Sequence, residues 1–283
     1  MLKTRVISSV VGLVLLGLVV WFGELVFGMA VFLLALVGMH EFYNSLSKGG
    51  YRPVKAVGYM SCLLILFIGL YGKIEPIAEI VKEFRYASNF FFFIFVIFIL
   101  LFLLIIFSYE RYNLSDISLT LFGIFYIAFS FSFLVMTRNL DNGFYYIWLA
   151  FIGAWGTDTA AFFTGMGLGK KKILPVISPK KTLEGAIGGV AGCVLLTVLY
   201  GLFLNYNHFI GYTPLYHFVI LGALNGFISQ IGDWGASAVK RYVNIKDYGN
   251  IMPGHGGVLD RFDSILFVSP LVYYYIRFII SAA

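Results

Sequence analysis

Long apolar runs recur along the chain, and the most extreme, FFFFIFVIFILLFLLIIF at residues 90–107, contains no polar side chain. Lipid offers no hydrogen-bond partner to a bare backbone, so a run of roughly 20 such residues is stable as a bilayer-crossing helix whose peptide groups pair within the segment. Runs of this kind lie near 6–22, 25–43, 54–72, 88–107, 117–136, 145–165, 184–204, 215–235 and 262–281. They predict an all-α polytopic integral membrane protein with about nine transmembrane helices. Only 12% of the residues are charged and 60% are hydrophobic, against about 25% charged in a soluble domain. The first run follows Lys3 and Arg5 as a signal peptide would, but no small-residue cleavage pattern follows it and a second run begins almost at once, so it reads as an uncleaved span.

An odd number of spans puts the termini on opposite faces, and the basic residues decide which. With the N-terminus cytoplasmic, only Lys73, Lys82, Arg85, Arg138 and Arg277 of the 20 Lys and Arg fall outside, which favours N-in and C-out in the cell inner membrane. The net charge of +6 is then a property of cytoplasmic loops, and no nucleic acid is implied. Cys62 and Cys193 sit in apolar runs without CxxC or His spacing and read as small buried hydrophobes. KGGYRP at 48–53 reads as a cytoplasmic turn, and KIEPIAEIVKEFRYA at 73–87 as an interfacial helix on the outer side. The chain divides into an N-terminal region of about five spans, 1–140, and a C-terminal region, 141–283, that carries most of the charged loops.

Within that second region, Asp158 and Asp233 lie inside apolar runs, where an Asp costs roughly 2.5–3.5 kcal/mol on the insertion scale. One explanation is a helix–helix hydrogen bond or a structural ion pair; the other, which we favour, is a site facing a polar cavity. The parity of the spans places both carboxylates in the cytoplasmic half, with Asp260 and Asp263 at the cytoplasmic start of the last span. On a helix, Asp260 and Asp263 share a face, as do Asp233, Ser237 and Lys240. Convergent carboxylates with basic neighbours suit Mg²⁺, which takes one or two carboxylates together with substrate phosphates. A local salt-bridge network around Asp260, Arg261 and Asp263 is the simpler alternative.

Glycines flank this acidic group. In MPGHGGVLD, Gly254, Gly256 and Gly257 surround His255, giving a backbone that can approach a ligand closely and present N–H groups to an anion; a plain glycine turn is the alternative. Upstream, Lys170, Lys171 and Lys172 read as positive-inside signal, whereas in SPKKT the residues Ser178, Pro179 and Thr182 read as turn and N-cap chemistry that holds Lys180 and Lys181 at a helix start. GMGLGKKK lacks the first glycine and closing Ser or Thr of a P-loop, HEFYN lacks the second His of HExxH, and no GxSxG occurs.

The stretch 237–263, SAVKRYVNIKDYGNIMPGHGGVLDRFD, resembles the signature of the phosphatidate cytidylyltransferase (CDP-diacylglycerol synthase) family. Its matching residues are Ser237, Lys240, Arg241, Lys246, Asp247, Gly249, Pro253, Gly254, His255, Gly256, Gly257, Asp260, Arg261 and Asp263. DTAAFFTG, SPKKTLEG and QIGDWGAS resemble further family elements, with Leu183 and Trp234 as departures, so that the likeness covers about residues 150–265. The resemblance implies an enzyme that transfers CMP from CTP to phosphatidate, giving CDP-diacylglycerol and pyrophosphate, with Mg²⁺ as cofactor and a monovalent cation beside it left open. It further implies a membrane-embedded site open to the cytoplasm and a homodimer.

Under that resemblance Asp233, Asp260 and Asp263 are metal ligands, with Asp158 a further candidate. Asp247 organises the loop. Lys180, Lys181, Lys240, Arg241, Lys246 and Arg261 bind phosphate, aided by Ser237 and the glycine turn, and His255 contacts the leaving group. A CTP-dependent polyprenol kinase or a cytidylyltransferase for another lipid would use the same charges. An ion or proton transporter would need access from both faces, and this polar set is one-sided.

Overall fold

A computed structural model describes residues 2–70, 87–252 and 254–280. Among them are nine helical rods, one on each apolar run. The first four are α1 (Leu2–Trp21), α2 (Glu24–Lys48), α3 (Lys55–Leu70) and α4 (Ala87–Phe107). Next, α5 covers Leu114–Arg138 with a π-turn at Ile124–Phe129. The sixth rod, α6, is α-helical over Gly143–Phe151, a π-turn over Ile152–Gly156 and α-helical again over Thr157–Leu168. A hairpin of β1 (Lys172–Leu174) and β2 (Ser178–Thr182) leads into α7 (Leu183–Tyr206), α8 (Leu215–Tyr242) and α9 (Leu259–Ile280). By length and composition α2, α5, α7, α8 and α9 are long and apolar enough to cross a membrane, and the chain is a polytopic membrane protein.

Local chemistry sets several of the boundaries. The turn after Lys48 forms where Gly50 takes φ 90°, a conformation that costs a Cβ-bearing residue more. Asn113 caps α5 reciprocally with Asp116: the Asn113 side chain accepts the Asp116 N–H, and the Asp116 carboxylate accepts the Asn113 N–H. Thr182 caps α7 by accepting the Gly185 N–H at 3.2 Å, in line with the N-cap reading of SPKKT. The lysine-rich stretch before it is more ordered than a charged loop. β1 and β2 pair antiparallel with Lys172 opposite Thr182 and Leu174 opposite Ser178, and the Leu183 N–H donates to the Lys171 carbonyl at 2.8 Å. The segment expected as an outer interfacial helix lies, over 73–86, outside the described residues, as does Pro253.

Two compact units result. Residues 10–135 form one, in which Tyr43 is buried and donates its hydroxyl hydrogen to the Thr120 carbonyl at 2.8 Å. Residues 1–9 and 136–283 form the other, where α7 packs against both α6 and α8, and α8 against α9. Small residues allow the close crossings, as is usual between helices in lipid. A Cβ on Gly226 would stand 2.8 Å from the Val190 Cα, and one on Gly232 would stand 2.8 Å from the Asp263 carbonyl oxygen. Cys62 and Cys193 are both free and buried.

Candidate active site

Asp158 stands in the first turn after the π-turn of α6. Such turns arise from one extra residue in a helical ring and re-aim the side chains that follow. Here the π-turn packs against α7, α8 and α9 together, and the Thr157 hydroxyl donates to the Gly153 carbonyl at 2.5 Å. Asp233 comes from α8 and Asp263 from the second turn of α9, and the close approach at Gly232 brings those two helices together. The carboxylates of Asp158, Asp233 and Asp263 lie within electrostatic range of one another. The Asp263 carboxylate also accepts the Ser264 N–H at 2.8 Å.

Lys181 reaches this acidic group from β2 and forms an ion pair with Asp233, the two side chains being 33% and 20% exposed. Burial lowers the affinity of its ammonium for the proton, but the charges of Asp233, Asp158 and Asp263 and the hydrogen bond to Asp233 raise it by more, so its pKa lies above that of an ordinary lysine. The sign follows: the pair is complete at neutral pH and is lost only as the pH climbs through that raised value. Arg261 lies within electrostatic range of Asp158, and Lys240 of Asp263.

Asp260 is arranged differently. It is 7% exposed and both of its oxygens are engaged: Oδ1 pairs with Lys240 Nζ at 2.8 Å, while Oδ2 accepts the N–H groups of Tyr248 at 2.8 Å and Gly257 at 3.0 Å. The group expected as a metal ligand therefore serves, in this arrangement, as the anchor of the 243–258 loop. Gly256 completes that anchor, with φ 86° and a virtual Cβ only 2.9 Å from Asp260 Oδ2. Tyr248 closes the loop from the other side, its hydroxyl donating to the Ala236 carbonyl at 3.2 Å and its ring lying 5.3 Å from Lys240 Nζ. Burial first, then Asp263 and Asp260, push the Tyr248 phenol upward, so it stays protonated and can donate.

The other expected residues divide in the same way. Arg241 donates to the Ile245 carbonyl at 2.9 Å and to the Ile177 carbonyl at 3.4 Å, tying the end of α8 to the hairpin turn. His255 is held by the hydroxyls of Ser8, at 2.9 Å, and Ser9, at 3.3 Å. Lys180, Lys246 and Asp247 are exposed, Ser237 is half-buried beside them in sequence, and Gly254 takes φ 77°. Several partners were not legible as site residues: Ser264 through its backbone N–H, Tyr248, Ser8 and Glu184, whose carboxylate accepts the N–H groups of Lys170 at 2.9 Å and Lys171 at 3.2 Å. Glu184 and Tyr248 had a signal, their places inside SPKKTLEG and inside the 237–263 stretch.

Three carboxylates with a single lysine in direct contact form an acid-rich donor set of hard oxygens, which is the kind a divalent cation complements. Among the described residues no group of three or more Asp, Glu, His or Cys side chains is placed to hold a metal ion. Mg²⁺ needs no such cage, since substrate phosphates and water fill most of its shell.

The chain matches the profile of the cytidylyltransferase family over residues 3–279. It is 33% identical over 271 residues to the phosphatidate cytidylyltransferase of Staphylococcus saprophyticus, covering 96% of this chain and 97% of that one. It is 31% identical over 272 residues to that of Staphylococcus haemolyticus, with the same coverage, and 37% identical over 166 residues to that of Bacillus subtilis, covering 58% of this chain and 60% of that one. With the profile spanning nearly its whole length, the chain belongs to the cytidylyltransferase family.

Proposed function

We propose that this protein is a phosphatidate cytidylyltransferase, which joins CTP and phosphatidate to give CDP-diacylglycerol and pyrophosphate. The observation that carries the reading is the placement of Asp158, Asp233 and Asp263, from three helices, within electrostatic range of one another, with Lys181 of the hairpin paired to Asp233. The reaction forms a bond between a phosphatidate oxygen and the α-phosphorus of CTP, and breaks the bond from that phosphorus to the bridging oxygen of the β-phosphate. The attacking phosphate is already an anion, so no covalent enzyme intermediate is needed. What the protein must do is hold two anions in line and stabilise the charge gathering on the leaving pyrophosphate.

Asp233, Asp263 and Asp158 would hold Mg²⁺, which when bound neutralises phosphate charge. Lys181 and Arg261, beside the carboxylates, bind phosphate oxygens, and Lys180 and Lys246 draw the nucleotide in from the exposed face. Lys240, Asp260, Asp247, Arg241 and the glycine turn with Gly254, Gly256 and Gly257 give the loop its shape. Ser237 lines the site one turn after Asp233, and His255, steadied by Ser8 and Ser9, contacts the leaving group. The region 141–283 carries the chemistry and 1–140 supplies further spans. All nine helices cross the inner membrane with the N-terminus cytoplasmic, the site faces the cytoplasm, and lipid enters laterally. The protein works as a homodimer.

Purified protein given CTP and phosphatidate is expected to release pyrophosphate and label the lipid through the cytidine, with turnover lost on chelation of Mg²⁺ and restored on its return. Label reaching lipid only from the γ-phosphate would identify a kinase instead. Asp233→Asn is expected to lower turnover on the order of 100-fold or more. Full turnover in that folded variant would remove Asp233 from the metal set.

A further inference from the structure

A second polar feature lies in the unit of residues 10–135. A concavity of about 670 Å³ opens where α2 ends and α3 begins, lined by Arg52, Lys55, Ala56, Arg111 and Tyr112 among others. That volume is typical of a small-ligand site. A smaller one of about 250 Å³ continues from it and shares Arg52, Arg111 and Tyr112.

The charges around it do not cancel. Neither Arg52 nor Arg111 forms an ion pair among the described residues; the Arg111 guanidinium only overlies the Tyr112 ring at 5.3 Å. Lys55 spends one hydrogen on Asn44 Oδ1, a neutral acceptor, at 2.6 Å. Two carboxylates line the smaller part, Glu110 and Asp116. Asp116 is already committed, accepting the backbone N–H groups of Arg52 at 2.6 Å and Asn113 at 3.1 Å. Lys55 also opens α3, so the positive end of that helix adds to the same field.

Positive-inside residues need only be scattered over loops, whereas these three are gathered around one hollow beside aromatic and apolar walls. Basic pockets between membrane helices are where phosphate head groups bind. We propose that this hollow is a phosphate site, in which Arg52, Lys55 and Arg111 hold the phosphate of an anionic lipid head group or a free phosphate anion. The site is separate from the transfer chemistry proposed above, and its test does not read that activity.

The test is the thermal unfolding of the full-length protein in neutral detergent, titrated with phosphatidylglycerol, phosphatidylcholine or inorganic phosphate. Phosphatidylglycerol raising Tm while phosphatidylcholine and inorganic phosphate do not identifies a lipid site; inorganic phosphate acting as well identifies a free-anion site. In either case Arg52→Gln with Arg111→Gln is expected to weaken the apparent affinity on the order of thirtyfold, and the corresponding Arg→Lys pair to keep most of it. Should the double variant not fold, Arg111→Gln alone carries the comparison, because that exposed side chain makes only the ring contact. Equal responses of wild type and Gln variants to every anion, or no response in the wild type, would overturn the proposal.

Discussion

Asp260 and Asp233 differ in what already occupies their oxygens, and so their substitutions should fail in different ways. Removing the Asp260 charge leaves Lys240 buried without its counter-ion, and such a loss costs about 3–5 kcal/mol in soluble proteins. Asp260→Asn should therefore show as a lower Tm in detergent. A Lys240→Met partner change should recover much of the loss, a coupling that a double-mutant cycle would measure. Lys181→Met removes a proposed phosphate partner and, among the described residues, the one lysine in contact with Asp233. Turnover should drop on the order of 100-fold, while the Mg²⁺ concentration for half-maximal rate should stay level or fall, because the carboxylates lose a competing cation. A rise in that concentration would show that Lys181 helps to assemble the cation site.

Helix crossings set where these side chains meet, and two neighbouring glycines on α8 separate crossing from composition. Gly232 faces the Asp263 carbonyl and the Ser264 Cα, at 2.8 and 3.1 Å from a virtual Cβ, whereas Gly235 has nothing within 4 Å. Gly232→Ala should push α8 from α9 at a cost of about 1–3 kcal/mol and lower activity with it. Gly235→Ala should be neutral or gain up to about 1 kcal/mol in helix propensity. The apolar runs placed every helix among the described residues, because a bilayer-length hydrophobic stretch leaves the backbone few alternatives. The hairpin was not legible: Lys172–Leu174 and Ser178–Thr182 are short and lysine-rich, without the alternation that marks a half-buried strand. The π-turns were hidden for a related reason, since one extra residue scarcely disturbs an apolar run. The engagement of Asp260 was invisible too, as it depends on backbone N–H groups of Tyr248 and Gly257 that only the folded loop aims at it.

At the scale of the molecule, the proposed orientation makes opposite ends of α8 accessible from opposite faces. The native thiols are buried and should give little background in a labelling experiment. A cysteine replacing exposed Asn250 should react with an impermeant maleimide only in inside-out vesicles, and one replacing exposed Tyr212 only in right-side-out vesicles. Reaction of both from one side would reject the N-in, C-out reading. The π-turn of α6 carries the last consequence. Each α-helical residue turns the chain by about 100° and advances it 1.5 Å, and a ring holding one residue too many absorbs that step locally. Excising one residue between Ile152 and Gly156 should therefore tighten the ring to an ordinary α-turn and leave Asp158 near its present angle. A shortened protein that keeps its fold yet cannot turn over would show that the wide ring itself, and not the phase of the helix, sets the carboxylate in place.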